Sequence, residues 1–192
     1  MVKNNNTVYL WEMSKEIVNK DILTLDTEKC PDRFVFNQGE IVKDYGKLVF
    51  YSERDEQKTR RWDFLINNGS LLLVSPKLLK IIERLTQPSD FQKLPCKIVC
   101  VDGVIEDYSV INLLVMKIGV DMQNSVCKYM TDNKTILGFK KLVFTDNALE
   151  NSDIALLAEH TGLTMVSSKF AEECIINKIK GLRFALPDEI YY

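Results

Sequence analysis

Residues 71–85, LLLVSPKLLKIIERL, decide how this chain folds. The first four are apolar and predict a short buried strand. Ser75 then has the side chain of a helix N-cap, and Pro76 falls at the favoured first helical position. The apolar residues that follow recur at helical spacing, and Pro88 lies just past the expected end. This stretch therefore predicts a strand that runs directly into an amphipathic helix.

A second copy of this strand-to-helix unit, LTMVSSKFAEECIINKIKG, begins at Leu163, 92 positions after Leu71. Ser167 is its cap residue, Gly181 is expected at the left-handed position that ends its helix, and Leu182–Ala185 is expected to follow as a strand. The copies are either a true internal duplication or a recurring way to build this turn, and both readings predict a second amphipathic helix. The identical pairs are Leu65 with Leu157, Leu71 with Leu163, Val74 with Val166, Ser75 with Ser167 and Lys77 with Lys169.

Three apolar segments between the two units predict further strands: residues 97–101, 108–118 and 136–144. The middle segment, YSVINLLVMKI, is apolar on both faces, which is typical of a central strand covered on both sides. A helix is the alternative, but the β-branched residues Val110, Ile111 and Val115 favour a strand. The predicted fold class is therefore α+β, with a mixed or antiparallel sheet and two main amphipathic helices packed on it.

The first 51 residues predict a small β-rich lobe. Residues 8–13, 34–36 and 48–51 carry short apolar bursts between turn signals, which indicate strands. Residues 14–19 and 62–66 each carry a weaker signal for a helical turn. The mixed charges of residues 52–61 predict an exposed loop after the lobe. We expect residues 1–192 to form a single domain that includes this N-terminal lobe, residues 1–51.

The composition is that of a soluble globular protein, with 46% hydrophobic and 27% charged residues among 192. Twenty-five basic and 27 acidic residues give a net charge of −2, so no global field attracts nucleic acid or an anionic membrane. No apolar run reaches the about 20 residues of a membrane span or forms a secretory signal. Five cysteines, an odd count, fit free thiols in a reducing compartment, and we expect a cytoplasmic protein.

The residue types that carry catalysis or bind cofactors form no recognisable pattern. His160 is the single histidine, and no nucleophile can be assigned to it from spacing, although a Cys–His pair assembled by the fold is an open alternative. Cys96 and Cys100 share one strand face without the second ligand pair of a zinc site, so we expect Cys100 in the core and Cys96 at a strand end. The eight glycines form no phosphate-binding motif. We therefore predict no enzyme, no cofactor and no metal.

Acidic residues are segregated along the chain despite the near-zero total charge. Residues 98–116 and 142–168 contain carboxylates but neither lysine nor arginine. If the loops of both stretches meet at one end of the sheet, they form an acidic surface suited to a basic protein partner. The alternative is that these loops are ordinary and never meet. The candidate partner-binding residues are Asp102, Glu106, Asp107, Asp146, Glu150 and Asp153.

Several motifs spread over nearly the whole chain resemble a bacterial immunity-protein family found beside polymorphic toxins, the family numbered eleven and long described as a domain of unknown function. The most specific is the VS-capped helix that ends in KGLRF. The other motifs are Tyr9-Leu10-Trp11, the turn around Gly39, Trp62-Asp63-Phe64-Leu65 leading into Leu73-Val74-Ser75, Tyr108-Ser109-Val110-Ile111-Asn112, and Val120-Asp121.

The resemblance implies a cytoplasmic protein that binds and neutralises a cognate toxin encoded in the adjacent gene. The family pattern supplies no catalytic residues, so the expected mechanism is stoichiometric protein–protein binding. One alternative is an enzyme or small-ligand protein whose site is assembled from distant residues, with Cys100, Cys127 or His160 as participants. The other is a scaffold or oligomerisation module that uses exposed edge strands.

Overall fold

The computed structural model describes residues 7–30, 32–132 and 134–189, and it has a mixed α+β architecture in which strands predominate. The helices are α1 (Glu56–Thr59), α2 (Pro76–Leu85) and α3 (Ser168–Ile176). The strands are β1 (Val8–Met13), β2 (Thr24–Leu25), β3 (Leu48–Tyr51), β4 (Phe64–Leu65), β5 (Leu72–Val74), β6 (Phe91–Val99), β7 (Val104–Ile105), β8 (Ser109–Leu113), β9 (Met116–Lys117), β10 (Val126–Tyr129), β11 (Ile136–Lys141), β12 (Ile154–Leu157), β13 (Thr164–Ser167) and β14 (Leu182–Ala185).

The strands form two mixed sheets and a separate hairpin. One sheet has the order β14-β1-β13-β12-β9, and the other has the order β2-β3-β6-β8-β5-β4 with β7 paired to β6. Most neighbours are antiparallel, but β3 runs parallel to β6 and β9 runs parallel to β12. The hairpin consists of β10 and β11. The predicted α+β class with a mixed sheet is confirmed at this level.

The apolar run 108–118 was predicted as one central strand, and this is wrong. All five residues of β8 are buried in the seven-stranded sheet, as expected for a central strand. The chain then leaves that sheet at Leu114, and β9 joins the edge of the five-stranded sheet beside Leu156. One apolar run thus serves two sheets, and its second part is an edge strand in which Met116 is exposed and Lys117 half-buried.

The two long helices and both sheets share one apolar cluster. Trp11 of β1 lies at its centre, with its ring 5.2 Å from Phe64 and 5.6 Å from Phe170. Phe170 on α3 and Leu78 on α2 are both fully buried there. Complete burial of a side chain of this size contributes about 1.5–3 kcal/mol. This cluster therefore holds the two sheets and the helices together.

The N-terminal segment belongs to both sheets. The strands predicted at 8–13 and 48–51 are present as β1 and β3. The strand predicted at 34–36 is wrong, since Arg33–Asn37 forms a 3-10 helix that begins when Phe34 N–H donates to the Asp32 carboxylate. The helical turn predicted at 14–19 is displaced to Asn19–Asp21. A distinct lobe over residues 1–51 remains a prediction.

The segment between residues 52 and 66 also differs from expectation. Residues 52–61 were predicted as a loop but contain α1, which Asp55 caps by accepting a hydrogen bond from Lys58 N–H at 2.7 Å. Residues 62–66 were predicted as a helical turn but contain β4. Buried Trp62 fixes the start of β4, because its carbonyl accepts a hydrogen bond from the Tyr108 hydroxyl at 2.6 Å.

The sequence repeat corresponds to two hairpin-plus-helix units, β4-β5-α2 and β12-β13-α3. Phe64 pairs with Val74 in the first unit, and Ile154 pairs with Val166 in the second. The second hairpin loop is therefore two residues longer, and the proposed equivalence of Leu65 with Leu157 is wrong. The other four identical pairs keep their equivalence, because they lie after the loop.

The end of α3 places the following chain against the first unit. Gly181 does not end this helix as predicted; Lys178 does, with a φ of 51°. Ile179 N–H then donates to the Cys174 carbonyl at 2.9 Å, which closes a Schellman motif. Gly181 has a φ of 92°, and its α-carbon lies so close to Phe64 that an added Cβ would stand 2.3 Å from the Phe64 carbonyl oxygen.

Candidate functional site

Three of the six predicted partner-binding residues, Asp146, Glu150 and Asp153, line one pocket. The volume of this pocket is about 510 Å³. We call it the acidic pocket, because its walls carry four carboxylates and one lysine. Its lining residues are Thr7, Val8, Asp146, Asn147, Leu149, Glu150, Asn151, Ser152, Asp153, Ser167, Ser168, Lys169 and Glu172.

The loop before β12 positions the carboxylates of this pocket. Glu150 has a φ of 49° in this loop, and its side chain, 62% exposed, forms an ion pair with Lys117 of β9. Asp146 is exposed and has no ion-pair partner among the described residues. Fixed carboxylates in a concave surface concentrate negative potential, so this pocket favours a positively charged occupant.

Asp153 stands at the base of the acidic pocket and organises the start of α3. Its carboxylate accepts a hydrogen bond from the Ser167 hydroxyl at 2.6 Å and pairs with Lys169 Nζ at 3.0 Å. Ser167 Oγ in turn accepts from Phe170 N–H, as an N-cap does. We call Asp153, Ser167 and Lys169 the Asp153 cluster. Ser167 and Lys169 belong to the repeat seen in the sequence, but neither was among the predicted contact residues.

The first repeat unit contains the same arrangement, formed by Asp63, Ser75 and Lys77, which we call the Asp63 cluster. Ser75 Oγ donates to the Asp63 carboxylate at 2.8 Å and accepts from Leu78 N–H, and Lys77 Nζ lies 3.5 Å from the same carboxylate. In both units the serine N–H also donates to the aspartate carbonyl, at 2.8 and 3.0 Å. The two clusters are therefore equivalent atom for atom at the strand-to-helix junction.

The other three predicted residues, Asp102, Glu106 and Asp107, lie around the turn between β6 and β8. Asp102 accepts a hydrogen bond from the Glu56 N–H at 2.8 Å, and Asp107 forms a two-pronged pair with Arg60 at 2.8 and 2.9 Å. Glu106 pairs with Lys97 at 2.5 Å. Asp102 and Asp107 thereby attach α1 and its C-terminal Arg60 to the seven-stranded sheet. Within the described part of the chain, no hydrogen bond or ion pair joins them to the acidic pocket.

An apolar groove continues from the acidic pocket along the other side of α3. It has a volume of about 440 Å³, and it shares Thr7, Ser168 and Glu172 with the acidic pocket. Ile175 and Ile176 are exposed at this end of α3, by 68% and 73%. Sequence reasoning missed this groove, although adjacent isoleucines cannot both join a helix face that already buries Phe170 and Cys174.

The thiols and the histidine are engaged in structural contacts. Burial raises the pKa of Cys96 and of Cys174 to about 12, so both thiols stay protonated at neutral pH. Cys96 lies within β6 rather than at a strand end, and Cys100 is buried as predicted, 3.6 Å from the Thr59 hydroxyl. His160 Nε2 lies 3.1 Å from the Leu137 carbonyl. Among the residues with described positions, no group of three or more His, Cys, Asp or Glu side chains is arranged to hold a metal ion.

Within the described ranges, none of the helices has both the length and the apolar character needed to cross a bilayer.

Comparison with known proteins gives a match to a protein family. The model of a family described as Immunity protein family (Imm11) matches residues 3–186, which is nearly the whole chain. A search of curated proteins finds none that matches.

Proposed function

Because the chain belongs to the Imm11 immunity protein family, we propose that it is a cytoplasmic, non-enzymatic immunity protein that binds and neutralises a cognate bacterial toxin. The toxin is encoded in the adjacent gene, and neutralisation occurs through a one-to-one complex. The observation that carries this proposal is the family match over residues 3–186, since it covers both sheets and both repeat units. The function therefore belongs to the whole fold rather than to an added segment.

The acidic pocket is the proposed centre of the toxin-binding surface. Asp146, Glu150 and Asp153 lie on one loop between two strands, and the exposed side chains of Asp146 and Glu150 are accessible to a basic partner. Complementary charge also accelerates association and excludes acidic partners. The adjoining apolar groove adds the desolvated contact area that a stable interface requires. Asp102, Glu106 and Asp107 remain proposed contacts as a separate group around the turn between β6 and β8, where Asp107 already pairs with Arg60 and Glu106 with Lys97.

Co-expression with the product of the adjacent gene tests this function. We expect growth to be rescued and the two proteins to co-purify at one-to-one stoichiometry. If the neighbour is toxic but the chain neither rescues growth nor binds it, the proposal is wrong. Rescue without a stable complex would point instead to an enzyme that alters the toxin, and His160→Ala would then abolish rescue.

Charge reversal tests the acidic pocket separately. The double variant Asp146→Lys, Glu150→Lys should weaken the complex about tenfold or more, mainly through slower association, and the loss should shrink as salt is added. A matched control is Glu16→Lys, Glu28→Lys, which makes the same change of net charge at exposed side chains outside the pocket. Equal affinity of the pocket variant and the wild type would remove the pocket from the interface while leaving the immunity function intact.

A further inference from the structure

The Asp63 cluster already holds a piece of polypeptide chain. The segment that follows α3, residues 178–181, lies on it and is bound through backbone atoms. Lys180 N–H donates to the Asp63 carboxylate at 2.9 Å, and the Lys180 carbonyl accepts from Asp63 N–H at 2.9 Å. Lys77 Nζ donates to the Lys178 carbonyl at 3.1 Å. The cluster is thus a receptor for one extended residue and for the carbonyl two positions before it.

The equivalent Asp153 cluster has the same donors and acceptors but a different occupancy. Among the described residues, the Asp153 carboxylate accepts only from the Ser167 hydroxyl and Lys169 Nζ, and Asp153 N–H has no acceptor. Lys169 Nζ lies at 3.0 Å from this carboxylate, whereas Lys77 Nζ lies at 3.5 Å from Asp63 and reaches outward to a carbonyl. The acidic pocket adjoins this cluster, since Asp153, Ser167 and Lys169 are among its lining residues.

We infer that the Asp153 cluster is a second receptor of the same kind, and that it takes a basic, glycine-containing backbone segment of the partner protein. This inference rests on the proposed function for the identity of the partner. The segment presents one residue whose N–H donates to the Asp153 carboxylate and whose carbonyl accepts from Asp153 N–H. A carbonyl two residues earlier accepts from Lys169 Nζ.

The bound segment in the first unit also indicates which side chains fit. The residue after the bridging Lys180 is Gly181, and a Cβ there would stand 2.3 Å from the Phe64 carbonyl oxygen. By equivalence, the partner segment carries glycine after its bridging residue. The carboxylates of Asp146 and Glu150 beside the cluster favour lysine or arginine in that segment. The recognised motif therefore resembles Lys178-Ile179-Lys180-Gly181 of this chain.

A peptide experiment tests the receptor without requiring the toxin. The probe is the synthetic peptide INKIKGLR, which reproduces residues 176–183. In a titration followed by amide NMR of the intact protein, we expect the largest shift changes at Asp153, Ser167 and Lys169. The same peptide with valine in place of its glycine should cause none. We expect a dissociation constant of about 1 mM for so few contacts. Absence of any change at these amides up to about 5 mM peptide would overturn the inference.

The cognate complex provides the second test. Asn151→Trp fills the mouth of the acidic pocket from an exposed loop position without removing any bond of the Asp153 cluster, and it should lower toxin affinity about tenfold or more. Asp153→Asn should act in the same direction, with thermal unfolding measured to show that the variant is folded. Asn19→Trp, at another exposed asparagine, is the matched control and should bind as the wild type does.

The outcomes separate this inference from the proposed function. Absence of any wild-type complex contradicts the proposed function, whereas a complex that tolerates both Asn151→Trp and Asp153→Asn contradicts the receptor. A concentration-dependent dimer of the protein alone that Asn151→Trp abolishes would assign the pocket to a second copy of this chain and would also overturn the inference.

Discussion

Gly181→Ala tests whether the segment after α3 is locked to the first repeat unit. Alanine at a φ of 92° is strained by about 1–2 kcal/mol, because this is a backbone region that residues with a Cβ avoid. The new Cβ would also stand 2.3 Å from the Phe64 carbonyl oxygen, which is backbone and cannot swing away. The segment must therefore move off Phe64.

That movement breaks the backbone contacts of Lys180. Its carbonyl accepts from Asp63 N–H at 2.9 Å and from Phe64 N–H at 3.1 Å, and its N–H donates to the Asp63 carboxylate at 2.9 Å. A bond to a charged group is worth about 1.5–3 kcal/mol and a neutral one about 1 kcal/mol, but exposed partners recover part of this from water. We expect Gly181→Ala to lower the free energy of unfolding by about 3 kcal/mol in total.

Urea denaturation followed by circular dichroism measures this loss, and the melting temperature should fall by about 6–12 °C for a chain of this size. Gly103→Ala is the control. Its Cβ would meet only the side chain of Glu56, which is half-buried but flexible, so the loss should stay within about 0.5 kcal/mol. A Gly181→Ala protein as stable as the wild type, or a Gly103→Ala protein equally destabilised, would refute the locking of this segment.

Three further predictions concern the core, the helix cap and the thiols. Phe170→Ala should lower the free energy of unfolding by about 3–5 kcal/mol, because the ring is fully buried against Trp11. In the same urea titration, Ile176→Ala at the exposed end of α3 should change the free energy of unfolding by less than about 0.5 kcal/mol. Ser75→Ala should cost about 1–2 kcal/mol by thermal unfolding, since both the cap of α2 and a bond to Asp63 are lost; full stability would contradict this role. Burial raises the pKa of the Cys96 and Cys174 thiols and leaves little thiolate at pH 8. A thiol reagent should therefore modify at most two cysteines of the native protein and all five after denaturation, as counted by mass spectrometry. Rapid labelling of more than two cysteines in the native protein would contradict the burial of Cys96, Cys100 and Cys174.

The sequence predicts best where local chemistry and burial agree. Ser75 and Pro76 determine the start of α2, and Ser167 determines the start of α3, because a cap is satisfied by the first residues of its own helix. The same local logic explains two misses. Asp32 and Asp55 each cap a short helical turn that apolar patterning does not reveal. Their side-chain oxygens were a usable signal, since aspartate is a preferred cap residue.

Other features depend on contacts between distant segments. Residues 108–113 and 116–117 lie in one continuous segment without a turn signal, and only the fold places them in different sheets. Three of the six predicted contact residues, Asp146, Glu150 and Asp153, line the acidic pocket together, and they are also close in sequence. No hydrogen bond or ion pair joins them to Asp102, Glu106 and Asp107 among the described residues. Charge counting along the sequence could not foresee this, because it carries no information on where the loops lie in space.

The hydrogen bond from Lys180 to Asp63 joins residues 117 positions apart, and it has a consequence for protein synthesis. A ribosome adds about 5–20 residues per second, so Asp63 is exposed for at least several seconds before its partner residue exists. The first strand, β1, waits longer still for β13 and β14 on its two sides. A nascent chain therefore cannot complete the five-stranded sheet until residues 182–185 emerge, and translation products that end before them should be degraded rather than accumulate as partly active protein.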